Sequence, residues 1–149
     1  MTHVPPEVRE LSLEDGTVRL HSSGQLVWEV PVAEVRVIGE YTNESGPWGD
    51  DWFVVFVGNE GNWFEASTDA TNVESVLWRL SVGLHAPITL GLANSTSFRS
   101  QILWPPSLRG EQLLLFLPMR LRNRLLRAVL PRRVKLALTE AALNAINAN

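Results

Sequence analysis

The stretch DWFVVFV, residues 51–57, is apolar at every position after the first. Side chains of a strand point alternately to opposite faces, so a strand here offers apolar groups to both. It must therefore sit centrally in a sheet that is covered on either side. The segment GNEGN (58–62) is turn material, and it returns the chain into WFEAS (63–67) as a neighbouring strand. Pairing Val57 with Asn62 would set Glu65 opposite Val54 and diagonal to Trp52.

Upstream lies a polar loop, residues 42–49, preceded by AEVRVIGEY (33–41) and GQLVWEV (24–30). Both segments alternate as half-buried strands do, and Pro31 separates them. The first segment, VRELSLEDGTVRLH (8–21), centres on Asp15-Gly16, the signature of a two-residue type I′ hairpin turn. Its register then pairs Glu14 with Thr17, Leu13 with Val18 and Leu11 with Leu20. Ser12 with Arg19 and Glu10 with His21 occupy the other face. His21 is thus read as a cross-strand partner of Glu10.

Downstream, TNVESVLWRLSVGL (71–84) carries Val73, Val76, Leu77, Leu80 and Leu84 at helical spacing. Thr71 and Glu74 have the spacing of a capping box, and Gly83 is the expected C-terminal stop. Trp78 and Arg79 fall off the apolar stripe; a partner surface there is one reading, and a Trp lying along the sheet is the more ordinary expectation. One or two further short strands are expected within PITLGLANSTSFRSQILW (87–104), ending at Pro105-Pro106. Beyond that boundary, Met119, Leu121, Leu125, Leu126, Val129 and Leu130 share one side of an expected amphipathic helix. Pro131 breaks it, and an Ala-rich helical segment is expected from about Arg132 to Asn147. The predicted class is α+β: an antiparallel meander or half-barrel of six to eight strands covered by one helix. Residues 1–108 form the β-rich domain, and residues 109–149 form a basic helical tail, either packed on it or projecting.

With 149 residues, 45% of them apolar, the chain suffices for one domain with a sizeable core. The absence of cysteine excludes disulfides, thiolate metal sites and cysteine nucleophiles. The first residues, MTHVPPEVRE, lack the features of a secretory signal, and no uncharged run is long enough to span a membrane, so a cytoplasmic protein is expected. The net charge of −3 divides unevenly: residues 1–108 hold 5 Arg against 14 Asp/Glu, a balance of −9, and residues 109–149 hold 8 Lys/Arg against 2 Glu, a balance of +6. Such asymmetry fits an acidic body with a basic tail kept for it or for an anionic partner.

The most suggestive chemistry is GPWGDDWFVVFV (46–57), where Asp50 and Asp51 stand between Trp48 and Trp52. Adjacent strand residues diverge, whereas paired acid/base work needs carboxylates converging within roughly 5–9.5 Å. The two aspartates are therefore read as turn and strand-start residues. A hydrolase using Asp51 and Glu65 beside Trp52 is the alternative. His3, His21 and His85 have no metal-ligand spacing, and no nucleophile elbow, P-loop or dinucleotide fingerprint occurs. No catalytic set, metal or cofactor is predicted.

Six Trp in a chain without a catalytic cluster point to a non-enzymatic module that binds another protein, with Trp48, Asp50, Trp52 and Glu65 as candidate contacts. The alternative partner is an anionic membrane surface met by Arg120, Arg122, Arg124, Arg127, Arg132, Arg133 and Lys135. Nucleic acid is disfavoured, because the acidic body would be repelled by phosphate and no aromatics interleave the arginines.

The order of elements, with WEVPVAEVRVI from Trp28, then DDWFVVFV, WFEAS and a helix, resembles a bacterial pleckstrin-homology-like domain over about residues 8–84. The resemblance implies a bent antiparallel sheet closed at one end by the helix at 71–83. Members that bind phosphoinositides use Lys and Arg in the first hairpin loop. This sequence has Glu14 and Asp15 there, so no headgroup site is expected at that loop. The fold serves lipid, peptide and scaffold roles alike and selects no single function.

Overall fold

The structure, a computed structural model, describes residues 7–43, 51–92, 98–118 and 134–148. Strands β1 (Arg9–Glu14), β2 (Thr17–Ser22) and β3 (Gln25–Pro31) form one antiparallel sheet. A second contains β4 (Val35–Thr42), β5 (Trp52–Gly58), β6 (Trp63–Ser67) and β7 (Arg99–Trp104), in the spatial order β6-β5-β4-β7. Strands β8 (Leu114–Pro118) and β9 (Val134–Leu138) form a separate hairpin. The helices are α1 (Val73–Leu84) and α2 (Glu140–Asn147). The class is α+β, with nine strands among the described residues, one above the expected range.

The four-stranded sheet is the middle layer. On β5, Val54 and Phe56 face one way and Val55 and Val57 the other, and all four are fully buried. Each such burial contributes about 1.5–3 kcal/mol. The first face is covered by Leu11, Val18, Leu20 and Val30 of the first sheet and by Val73, Val76, Leu77 and Leu80 of α1. The second face is covered by Leu113, Leu114 and Ala142, with Leu136, Leu138 and Ile146 packed alongside.

The first hairpin has the expected register throughout, from Glu14 with Thr17 to Glu10 with His21. Asp15 and Gly16 both take positive φ, at 51° and 71°, as a type I′ turn requires. Strand β4 departs from simple alternation, because its pairing with β5 shifts between Val35 and Val37. The extra residue sends Val35 and Ile38 to the first core and Val37 and Tyr41 to the second.

The helix boundaries differ from expectation. Thr71 is taken up by β1, donating its N–H to the Arg9 carbonyl and accepting from the Leu11 N–H, so Asn72 becomes the N-cap and no capping box forms. At the other end the helix runs through Gly83. His85 adopts the left-handed conformation instead, at φ 54°, with its N–H directed to the carbonyls of Ser81 and Val82. The segment expected as one helix from Arg132 to Asn147 is divided: Val134–Leu138 is a strand, and helix begins only at Glu140. Alternation of Leu136 and Leu138 onto the second core favours the strand, and the Thr139 hydroxyl accepts from the Ala142 N–H as the cap of α2. The expected amphipathic helix over 119–130 lies outside the described residues.

At Gly39 the second cover approaches the middle sheet closely. A Cβ there would lie 2.5 Å from Leu113 Cδ2 and 2.8 Å from the Gln101 carbonyl oxygen. Gly39→Ala is therefore expected to destabilise the fold by about 1–3 kcal/mol through overpacking. Thermal unfolding of the variant should show a midpoint several degrees lower.

Candidate functional site

The corner where β5 begins is fixed by backbone contacts. Trp52 pairs with Thr42 on β4, and its carbonyl accepts from the Thr68 N–H at 3.0 Å. Trp52 shares the parity of Val54 and Phe56, so its indole projects toward the α1 side. On α1, Glu74, Leu77, Trp78 and Ser81 recur at three- and four-residue intervals and share one side of the helix. Past the helix the chain doubles back. The Ser81 hydroxyl accepts from the Ile88 N–H at 3.0 Å while donating to the Leu77 carbonyl at 2.8 Å, which holds residues 87–90 against α1.

Between these walls lies a cleft of about 600 Å³. Trp52 forms part of one wall, and its buried indole nitrogen has no hydrogen-bond partner among the described residues. Trp78 lines the cleft with 68% of its surface exposed, rather than lying along the sheet as expected. Val82, one turn further on, is also exposed and extends the apolar surface. Asp69 and Glu74 are exposed cleft residues, and neither forms an ion pair among the described residues. No Lys, Arg or His lines the cleft among the described residues.

The alternative grouping of Asp51, Glu65 and Trp52 does not assemble. Val57 pairs with Trp63, not Asn62, because the Gly58 N–H donates to the Asn62 carbonyl at 2.8 Å and closes a longer turn, with Gly61 at φ +81°. Glu65 consequently pairs with Val55. A slip of one residue exchanges faces, so Glu65 and Trp52 stand on opposite sides of the sheet. Glu65 lines a separate hollow of about 450 Å³ together with Trp28 and Phe53. Asp51 lies four residues from Val55, about 13 Å along the strand direction. No hydrogen bond joins the Asp51 and Glu65 side chains among the described residues. Trp48 and Asp50 lie outside the described residues, as do Arg120, Arg122, Arg124, Arg127, Arg132 and Arg133, and Lys135 belongs to β9.

Glu65 instead has a local partner. The Tyr41 hydroxyl donates to Glu65 Oε2, and the Tyr41 ring stacks on Phe53 with centroids 4.9 Å apart. The Glu65 carbonyl accepts from Trp28 Nε1 at 3.0 Å, tying β3 to β6. Burial, followed by the hydrogen bond and charge of Glu65, pushes the Tyr41 hydroxyl above its ordinary ionisation range.

One buried acid was not singled out by sequence reasoning. The Glu40 carboxylate is fully buried; both oxygens accept from the Gly91 N–H, at 2.8 and 3.0 Å, and Oε1 also accepts from Gln101 Nε2 at 3.0 Å. The only hint in the sequence was its parity with Ile38 on β4. These bonds join β4 to β7 and to the segment after α1, which makes Glu40 a brace for the first core. No family model, curated protein or solved structure matches this chain.

Tyr41 is the chain's single tyrosine, so its titration can be read without interference from another. The folded protein holds this proton above the pH, near 10, at which an unfolded tyrosine releases it. The resulting stabilisation is intact below about pH 10 and erodes as pH rises above it. Phenolate absorbance should be absent from the native protein at about pH 10 yet present in denaturant. Between about pH 9 and 11, Tyr41→Phe should show a shallower fall in thermal midpoint than the parent chain.

Proposed function

We propose that this chain is a binding module for another protein, using the cleft beneath Trp78. The observation that carries this reading is a tryptophan 68% exposed on a helix, beside a second tryptophan in the same cleft. Exposing an indole to water is unfavourable, and Trp is among the residues that dominate interface energetics when a partner covers it. The cleft is built on an ordered helix and strand, so little ordering cost accompanies contact. This reading adds Trp78 to the expected contact Trp52, while Trp48 and Asp50 lie outside the described residues. The arrangement of strands followed by a helix also supports kinship with pleckstrin-homology-like domains, a fold compatible with this role.

A second reading, attachment to an anionic membrane surface, is favoured by a different observation. Pro118 and Val134 are paired at the end of the β8–β9 hairpin, which brings together the two ends of a segment containing six arginines. Leu115 and Leu117 are exposed on the same hairpin. Basic residues near such a surface contribute about 1 kcal/mol each.

Affinity capture from the native host should retain a partner on the parent chain and lose it on Trp78→Ala, while Ser107→Ala, placed on a distant turn, retains it. Equal retention by all three would refute the use of this cleft. Sedimentation with phosphatidylserine vesicles at low salt should be measurable and reversed by salt if the membrane reading holds; no sedimentation would remove it.

A further inference from the structure

Resting on the protein-binding reading, we infer that the cleft receives an arginine side chain of the partner, held between aromatic surface and carboxylates. Two indoles, Trp52 and Trp78, and two acids, Asp69 and Glu74, line one hollow with no cationic residue among its described lining. Neither acid is neutralised by an ion pair among the described residues, so the hollow carries an uncompensated negative charge beside exposed π surface. That combination selects a cation with a flat face.

Guanidinium is planar, stacks on an indole, and still has five N–H donors directed outward in its plane. The carboxylates can accept some of these donors. The remainder can reach the hydroxyls of Thr68 and Thr89, which also line the cleft. A quaternary ammonium would use the indoles but has no donor for the acids or hydroxyls. Lysine ammonium has donors but no flat face. Glu74 is in the first turn of α1, one turn before Trp78 on the side of the helix that lines the cleft.

The probe is a blocked Gly-Arg-Gly peptide, titrated against the full chain by indole fluorescence and by nuclear magnetic resonance of the tryptophan N–H groups. Saturable binding is expected, weakened by added salt and lost with citrulline in place of arginine. Trp78→Ala and the double variant Asp69→Asn/Glu74→Gln should each weaken it by about tenfold. All three positions are on the protein surface or its rim, and unchanged circular dichroism spectra and thermal midpoints would show that the variants fold. Equal binding of the citrulline or trimethyl-lysine peptide would overturn the inference. So would arginine binding that is indifferent to the double variant, or no saturable binding of the arginine peptide. The two proposals fail separately: if the captured partner is lost on Trp78→Ala but kept by Asp69→Asn/Glu74→Gln, the cleft binds protein without recognising a cation.

Discussion

Burial of β5 on both faces is the constraint from which the architecture follows. Val54, Val55, Phe56 and Val57 are all removed from water, which a two-layer fold with one solvated sheet face could not achieve. The first sheet and α1 supply one cover, and the β8–β9 hairpin with α2 supplies the other. The second cover is too small to be independently stable, since a lone hairpin or a helix of eight residues is marginal in water. The second cover therefore depends on the middle sheet, and Leu113 packs closely over Gly39 there.

Parity along the strands decides which side chains can meet. The irregularity in β4 redistributes its apolar residues between two cores, which a single alternating face could not serve. The same rule governs Glu65. A turn one residue longer at the end of β5 moves that carboxylate away from Trp52 and gives it to Tyr41, where it joins a stacked aromatic pair and a tie to β3. Glu40 is the counterpart on the first face. Its buried carboxyl group is met by an amide N–H and a side-chain amide, so it adds polar ties between three segments that also share the first core through Ile38, Leu103 and Ile88.

The cleft is a by-product of how α1 is seated. Its apolar stripe packs on the sheet, and the side carrying Glu74, Trp78 and Ser81 is left facing the returning segment 87–90. The Ser81 hydroxyl holds that segment in place and leaves Trp78 partly uncovered. The local chemistry repeats on a small scale the charge imbalance of the front of the chain, where acids outnumber bases by nine.

The sequence by itself determined the central strand, the first hairpin to the residue, and the apolar stripe of α1, because each rests on short-range periodicity or on the backbone preference of Asp15-Gly16. It also marked Trp78 as lying off that stripe, without revealing that most of its surface is exposed. Only the tertiary structure decided the length of the β5–β6 turn, the strand at Val134–Leu138, and the use of Thr71 as a β1 partner rather than a helix cap. The turn chose between two local closures, whereas in the other two cases a backbone group chose a partner distant in sequence over a local one. Local pattern records the local option alone, and the distant one exists only once the sheets are assembled.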